Sequence, residues 1–218
     1  MANINLERRA EIGREKRART KAQLIAAAKA LGSTRPWESM TVDEVVNEAG
    51  VAKGTFYTHF NDLNELAAAV ANELIKSFDE LIQPSRLSLS DPLLRIAFGC
   101  DAFIEKALDD RLWASLAARM ARSYPTVGKV ARKRLNEDLR EALKQFPQLG
   151  LSLQLALEVS IGIVLQVMAA IGEGRLKDGD RTEAVRCILT ALGVGKRDAG
   201  SICARIAEIR RADPPRRQ

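Results

Sequence analysis

Apolar residues along this chain recur every three or four positions, which is the spacing of one face of an α-helix. No stretch shows the alternation of apolar and polar residues expected of a half-buried strand, and no segment repeats another. The pattern is short and broken over residues 41–60, whereas residues 63–81 and 149–171 carry long apolar stripes. It therefore predicts an all-α protein in which short helices come first and longer helices follow.

The short helices near the start of the chain lie on either side of a tight turn. Thr41 stands three residues before Glu44, a spacing that predicts a capping box at the start of a helix. Gly50 predicts the end of that helix, because glycine readily takes the left-handed conformation of a sharp turn. Phe56 and Phe60 then have the spacing to anchor a second short helix in the core. Two such helices predict a helix-turn-helix, whose second helix lies in the major groove of DNA.

The outer face of this second helix is polar. With Phe56 and Phe60 facing inward, a helical wheel places lysine, hydroxyl and imidazole groups outward, where they suit phosphate oxygens and base edges. Gly54 has no side chain, so the helix can approach a groove closely. Taken singly, each residue fits an ordinary solvated face, but the joint pattern of cap, turn and basic helix start favours DNA. The predicted contacts on this helix are Lys53, Gly54, Thr55, Tyr57, Thr58 and His59.

Residues 24–66, above all the run GVAKGTFYTHF, resemble the N-terminal domain of the TetR family of bacterial transcriptional regulators. The resemblance implies a three-helix DNA-binding domain followed by a larger helical domain that dimerises and binds a small molecule. By matching positions it implies DNA contacts at Thr41, Lys53, Thr55, Tyr57 and His59. Two residues depart from the family pattern: Leu63 replaces a frequent lysine after the cap of the fourth helix, and Ala52 replaces a frequent serine N-cap. We therefore expect one phosphate contact to be missing and one backbone contact to be weak.

Positive charge is concentrated at the start of the chain. The whole sequence has 34 lysines and arginines against 28 aspartates and glutamates, and residues 1–21 alone hold seven basic and three acidic residues. A basic arm directly before a helix-turn-helix can follow a phosphate backbone or enter a minor groove. A disordered, solubilising tail is a compatible alternative. The arm has no apolar core of signal-peptide length, so a cytoplasmic location is expected.

A serine-rich segment with Pro84, residues 83–90, predicts a boundary between two domains. Residues 1–82 then comprise the basic arm, the helix-turn-helix and a connecting fourth helix. Residues 83–218 comprise a helical ligand-binding and dimerisation domain. The fourth helix is expected to couple the two domains, because it belongs to one at its start and to the other at its end. Residues 213–218, DPPRRQ, are expected to be disordered.

The most apolar segment, residues 149–171, is long enough to span a bilayer. Glu158 near its middle, with Gln154 and Gln166, would be costly there, so a buried helix is predicted and no membrane partner. The resemblance implies that this helix and the next, residues 181–192, meet their symmetry mates in a homodimer that reads a near-palindrome. The interface residues assigned on this basis are Leu157, Ile161, Leu165, Val185, Ile188 and Leu192.

A small-molecule effector is expected in the second domain. Apolar binding sites favour aromatic and flexible side chains, which predicts pocket residues Phe98, Phe103, Trp113, Met120 and Met168. At each position an ordinary core residue is the competing interpretation. Asp101 and Glu105 could supply polar contacts to a ligand, or be exposed or interface residues.

No catalytic, cofactor or metal pattern is present in the sequence. The one histidine, His59, belongs to the recognition helix, and Cys100, Cys187 and Cys203 are too far apart for a paired motif. Reduced structural thiols are expected, with redox sensing as a minor alternative. The predicted function is a sequence-specific transcriptional regulator, a repressor released from its operator by a small apolar or amphipathic ligand. The alternative is a DNA-binding protein without an effector, which acts structurally or through protein partners.

Overall fold

The computed structural model describes the backbone of residues 2–212 and the side chains of residues 8–211. Within that range the chain forms ten α-helices and three short 3₁₀ segments, and no strand. The predicted all-α fold is therefore confirmed for the described residues. The predicted disordered tail, residues 213–218, lies outside them.

The chain divides into two compact units, Met1–Val70 and Ala71–Gln218. The first unit contains α1 (Ala2–Gly32), α2 (Val42–Ala49), α3 (Lys53–Tyr57) and the start of α4 (Leu63–Leu87). The division falls inside α4, whereas the sequence suggested a linker at residues 83–90. One continuous helix thus contributes residues to both units.

Helix α1 begins at Ala2, so the basic stretch, for which an arm or a disordered tail was expected, is helical. Leu24 and Ala28 are fully buried, whereas the described side chains from Arg8 to Arg19 are exposed on every side of the helix. Only the C-terminal half of α1 therefore packs against the domain.

Helix α4 continues through Pro84, where the sequence predicted its end. Proline lacks the N–H that would bond to the preceding turn, but this loss falls in the last turn of the helix. The Ser88 amide donates to the Pro84 carbonyl at 3.2 Å, and the Arg86 Nε donates to the Gln83 side chain at 2.9 Å. Arg86 is also ion-paired with buried Asp138, so tertiary contacts hold the turn that local propensity disfavours.

The second unit continues with α5 (Pro92–Asp109), α6 (Arg111–Ser123), α7 (Lys129–Gln145), α8 (Leu153–Gly172), α9 (Arg181–Ala191) and α10 (Lys196–Ala212). Side-chain caps begin α5, α6 and α8: Asp91, Asp110 and Ser152 accept hydrogen bonds from backbone amides within the first turn. Helix α8 packs against α5, α6, α7 and α9. At Gly172 a Cβ would lie 2.2 Å from the Ser115 hydroxyl, so glycine permits the close packing of α8 on α6.

By length and composition alone, α8 is long and apolar enough to cross a membrane, and it is the one such helix among the described residues. Only 33% of its apolar window is buried within the chain. Four neighbouring helices pack on its inner side, as in the core of a helical bundle. The sequence predicted a buried central helix, but one side of α8 faces outward.

Candidate DNA-binding surface and ligand cavity

The predicted capping box at the start of α2 is present. The Thr41 hydroxyl accepts a hydrogen bond from the Glu44 amide at 3.3 Å, and the Glu44 carboxylate accepts one from the Thr41 amide at 2.9 Å. Hydrogen bonding from Thr41, and then from Arg35, holds the pKa of Glu44 below its ordinary value. Gly50 ends the helix at φ +65°, the left-handed conformation that the turn was expected to need. The helix-turn-helix geometry therefore follows from signals within a few residues of each other.

Helix α3 keeps its two phenylalanines inside and its polar side outside. Phe56 and Phe60 are 0% and 2% exposed, and their ring centroids lie 5.9 Å apart. Tyr57 is 54% exposed, and its ring meets the edge of Phe56. Nothing lies within 4 Å of a Cβ built on Gly54, so this side of the helix is open. Of the predicted DNA contacts, Thr41, Lys53, Gly54, Tyr57 and Thr58 are exposed, and Thr55 and His59 are half-buried.

Lys53 and Thr58 already have partners within the domain. The Lys53 Nζ lies 2.8 Å from an Asp43 carboxylate oxygen, and this hydrogen bond raises the pKa of Lys53. Both side chains are more than half exposed, so the pair is weak and Lys53 is free to turn toward a phosphate. The Thr58 hydroxyl donates to the Thr55 carbonyl at 2.7 Å, which leaves its oxygen as an acceptor only. Thr58 is therefore a poorer phosphate donor than the sequence suggested.

His59 lies at the end of α3, next to α1. Burial, and then the positive charges of Arg17 and Lys21, lower the pKa of His59. The Lys21 Nζ lies 5.2 Å from the centroid of the Phe60 ring. The imidazole is therefore neutral at neutral pH, with one N–H group to donate.

The two departures from the family pattern have visible consequences. Ala52 provides no side-chain cap for α3. Leu63 is a half-buried apolar side chain at the start of α4, where a lysine would extend toward solvent. The start of α4 is held instead by Asp62, which accepts from the Glu65 amide at 2.8 Å, while the Glu65 carboxylate accepts from the Asn61 amide at 2.8 Å.

The second unit contains a cavity of about 360 Å³ between α4, α5, α6, α7 and α8. Its apolar wall includes Ile75, Ile82, Ile96, Phe103, Ile161, Val164, Leu165 and Met168. Of the predicted pocket residues, Phe103 and Met168 line this cavity, and Phe98, Trp113 and Met120 do not.

The other three predicted pocket residues belong to the packed core. The Arg210 guanidinium lies 4.5 Å from the centroid of the Phe98 ring. Trp113 packs against Phe78 and Phe103, with ring centroids 5.8 and 6.1 Å away. Met120 is buried. Helical spacing identifies which side chains are buried, but it does not separate those that face other side chains from those that face a void.

The cavity also has a polar wall, which consists of charged pairs. Asp138 accepts from the Arg95 Nε at 2.8 Å and is also paired with Arg86. Asp79 is paired with Arg134, which joins α4 to α7. Both carboxylates are nearly inaccessible, and burial raises the pKa of Asp79 and of Asp138 despite the opposing effect of their arginines.

Every arginine of this wall has a carboxylate partner. Besides Arg86, Arg95 and Arg134, the cavity is lined by Arg132, and this fourth arginine is paired with Glu158. Arg95 has a second carboxylate partner, Glu141. Their carboxylate partners are Asp79 and Asp138 in the lining and Glu141 and Glu158 outside it. A ligand in the cavity would therefore meet hydrogen-bonding groups of both kinds, and each arginine it meets already has a carboxylate partner.

This polar wall was not predicted from the sequence. A signal was present: Arg134 and Asp138 continue the spacing of Val127, Ala131 and Ala142, which lies along the inner side of the helix. Charged residues at inward positions indicate a polar site or buried pairs rather than a solvated face. Asp101 and Glu105, by contrast, do not line the cavity. They bind Arg181 at 2.6 and 2.8 Å, and with Arg210 they tie α5 to α9 and α10.

The residues predicted for a dimer interface lie on the inner sides of their helices. Leu157, Val185, Ile188 and Leu192 are buried within the chain, and Ile161 and Leu165 line the cavity. The exposed side of α8 is formed by Gln154, Leu155, Glu158, Gly162 and Gln166, here called the outer face of α8. Leu155 is 50% exposed, and nothing lies within 4 Å of a Cβ built on Gly162. The polar residues Gln154, Glu158 and Gln166 lie along this face at multiples of four residues, so the sequence does indicate which side of α8 faces outward.

The three cysteines are free and differ in accessibility. Cys100 lines the cavity, and burial raises the pKa of its thiol to about 12. Burial also raises the pKa of Cys203, whereas Cys187 is exposed on α9. Among the described residues, no group of three or more histidine, cysteine or carboxylate side chains is placed to hold a metal ion.

The resemblance noted in the sequence is confirmed by a family comparison. Residues 24–70 match the model of the bacterial regulatory proteins of the tetR family. An uncharacterized HTH-type transcriptional regulator from Haemophilus influenzae is 28% identical over 85 residues, which is 39% of this chain. The match spans 42% of that relative, so it concerns less than half of its length.

Solved structures extend the similarity to both units. A crystal structure of RolR in complex with resorcinol matches 88% of this chain and 96% of RolR, at 26% identity and a TM-score of 0.76. The regulator FadR from Bacillus subtilis, in complex with stearoyl-CoA, matches 78% of this chain and 98% of FadR. At 16% identity and a TM-score of 0.62, that second likeness concerns the fold alone.

Proposed function

Because this chain carries the helix-turn-helix domain of the tetR family of bacterial regulatory proteins, we propose that it is a cytoplasmic, homodimeric repressor released from a near-palindromic operator by a small ligand. The observation that carries the proposal is the outer side of α3: an exposed tyrosine, a lysine and an open glycine on a helix held by two buried phenylalanines. No enzymatic role is assigned.

The proposed DNA contacts have two roles: some side chains bind phosphates, and one glycine lets the helix lie close to the groove. Lys53 lies at the start of α3, where it can donate to a phosphate oxygen. Thr41 lies at the start of α2, but its hydroxyl donates to the Glu44 carboxylate at 2.7 Å and must leave that bond to donate to a phosphate. Tyr57 extends from the exposed side of α3 and can donate its hydroxyl to a phosphate. Gly54 lets the α3 backbone approach the groove, because no side chain stands between them.

The homodimer is proposed to form through the outer face of α8. This surface combines exposed Leu155 with polar side chains and, at Gly162, is open to close approach by a second helix. Because only 33% of the apolar window of α8 is buried within the chain, a second copy packed against it would remove apolar surface from water. To read adjacent major grooves on one side of DNA, such a dimer must hold its two copies of α3 about 34–36 Å apart.

The cavity favours a compact, uncharged ligand with hydroxyl groups. A volume of about 360 Å³ is at the small end for a ligand site and suits a single ring better than a long acyl chain. Because each arginine of the polar wall is paired with a carboxylate, an anionic ligand would gain no unpaired cation. A hydroxyl group can donate to Asp79 or Asp138 and accept from an arginine. Resorcinol, which RolR holds, has this chemistry, and a hydroxylated aromatic is the class proposed for this chain.

Helix α4 offers the coupling route. Ile75, Asp79, Ile82 and Arg86 line the cavity at intervals of four, three and four residues, so one face of α4 meets the ligand. The same helix begins at Leu63, directly after the helix-turn-helix. A ligand that prefers one position of α4 by about 1–3 kcal/mol would change operator affinity fivefold to hundredfold. A second unit without a cavity would instead have favoured the alternative of a DNA-binding protein without an effector.

The DNA-binding part is tested by fluorescence anisotropy with DNA from the upstream region of the gene, a shuffled control and a salt series. We expect selective binding that persists near physiological salt, because purely electrostatic binding falls steeply with salt. Tyr57→Phe and Lys53→Ala should each weaken operator binding severalfold and leave the circular dichroism spectrum unchanged. Equal affinity for both DNAs contradicts operator recognition, and unchanged affinity in both variants refutes the contact assignment.

The ligand part uses the same labelled complex with resorcinol, phenol, benzoate and decanoate. Release by resorcinol, weaker release by phenol and none by the two anions would support the proposed ligand class. Release by an anion alone would overturn the argument that the arginines of the wall are already paired. Selective DNA binding that none of the four probes relieves would favour the effector-free alternative.

A further inference from the structure

One face of α1 changes character along its length. Residues 14, 17, 21, 24 and 28 follow one another at intervals of three and four, so they lie on a single face. Leu24 and Ala28 are fully buried in the domain, whereas Arg14, Arg17 and Lys21 are exposed. The buried face of α1 therefore continues past the edge of the domain as a basic stripe formed by Arg14, Arg17 and Lys21.

The basic stripe begins beside the recognition helix. The Lys21 Nζ lies 5.2 Å from the centroid of the Phe60 ring, three residues after the end of α3. The charges of Arg17 and Lys21 also act on His59, whose pKa they lower together with burial. From Lys21 to Arg14 the stripe extends seven residues, or about 10 Å, along the helix axis and away from the core. It thus lies on the side of α1 that faces the end of α3.

The surrounding charges leave this face positive. Glu15 lies on nearly the opposite side of the helix from Arg17, at a separation of two residues, or about 200°. Glu11 lies to one side of the stripe, one turn before Arg14. With α3 in a major groove, a row of cations that starts at its end meets the phosphate backbone bordering that groove.

We propose that Arg14, Arg17 and Lys21 form a second DNA contact, which binds the phosphate backbone flanking the groove occupied by α3 and carries no base specificity. The inference rests on the proposed function, since it assumes that α3 enters DNA. It differs from a general electrostatic effect of the basic N-terminal region, because it assigns the contact to one side of α1. The other side of the same helix also carries arginines, Arg8 and Arg19, which face away from α3 and make no such contact.

The test compares two double variants of equal charge. Arg14→Gln with Arg17→Gln removes part of the basic stripe, and Arg8→Gln with Arg19→Gln removes two arginines from the opposite side. Operator affinity is measured over a salt series with the full-length protein. Each lost phosphate contact makes the slope of log K against log salt concentration less negative by about 0.9. A dimer of the stripe variant lacks two arginines in each copy, so its slope should become less negative by about 3–4. The control should retain the slope of the unmodified protein.

A second readout separates phosphate contacts from base contacts. The stripe variant should lose affinity for operator and shuffled DNA by a similar factor, and the ratio between them should persist. Equal slopes in the two double variants, or no change in either, would overturn the inference. The proposed function would still stand if the unmodified protein binds its operator selectively. Loss of the operator-to-shuffled ratio in the stripe variant alone would also overturn it, because the stripe would then read bases. Circular dichroism checks that both variants remain folded, and Lys21→Gln provides a single-site replacement with an expected slope change of about half that size.

Discussion

At the residue scale, the pKa of His59 reports how the charges of α1 act on the end of α3. It can be measured without interference because the chain contains one histidine. Its pKa is lowered by burial first and then by Arg17 and Lys21. A lowered histidine pKa means that the folded chain resists protonation. The fold therefore has its full stability above the unfolded pKa of about 6.5, where the imidazole is neutral in both the folded and the unfolded chain. The stability that depends on the neutral imidazole is lost as the pH falls through the folded pKa.

We expect Arg17→Gln to raise the pKa of His59 toward 6.5, because one of the two nearby positive charges is removed. The measurement is a proton NMR titration of the single imidazole, which requires no assignment of other residues. Arg19→Gln is the matched control, since Arg19 lies on the other side of α1 and should leave the titration unchanged. The same shift in both variants would show a long-range effect of net charge rather than proximity.

At the scale of elements, the outer face of α8 yields a prediction about assembly. Gly162→Leu should weaken the dimer at least about tenfold, because a large side chain would separate two closely packed helices. The fold should be retained, since nothing within 4 Å obstructs a Cβ at this position. Sedimentation equilibrium at several concentrations gives the dissociation constant.

Gly13→Leu is the control for this experiment. Gly13 is also helical, exposed and open, but it lies in α1. An unchanged dimer in the Gly162 variant would exclude the outer face of α8 as the interface. A monomer in both variants would point to a general loss of fold.

How far the elements were predictable depends on the range of the interactions that define them. The capping box of Thr41 and Glu44 and the left-handed Gly50 act within a few residues, and the sequence identified them. The continuation of α4 through Pro84 depends on an ion pair between Arg86 and Asp138, 52 residues apart, and the sequence placed the end of the helix too early. Signals within a few residues were therefore sufficient to predict an element only where contacts with distant residues favoured the same structure.

The same distinction holds for the candidate sites. The polar outer side of α3 was predicted because two phenylalanines fix the orientation of that short helix. Phe103 and Met168 were predicted on composition, but so were Phe98 and Trp113, which pack in the core. A void is the space that several helices leave between them, and no single helix encodes it.

At the scale of the whole molecule, the stability of the fold depends on buried ion pairs between residues far apart in the chain. Asp138→Ala should lower the free energy of unfolding by about 3–5 kcal/mol, because it leaves the buried Arg86 without its carboxylate. Glu141→Ala should cost less than about 1 kcal/mol, since that carboxylate is 54% exposed.

Urea unfolding followed by tryptophan fluorescence measures the difference between these variants. Trp37 lies in the first unit and Trp113 in the second, so a Trp37→Phe background restricts the signal to the unit that contains the cavity. Similar midpoints for the two alanine variants would contradict the assignment of Asp138 as the central carboxylate of the polar wall.

The pairing of Asp79 with Arg134 also constrains how the lining of the cavity can change over generations. Losing one member of a buried pair strands the other, whereas replacing both by apolar residues of similar size is close to neutral. Viable descendants with a different lining at this pair should therefore have exchanged residues 79 and 134 together, even though the two lie 55 positions apart in the chain. A mutant library that varies these positions jointly will retain far more folded members than one that varies either alone.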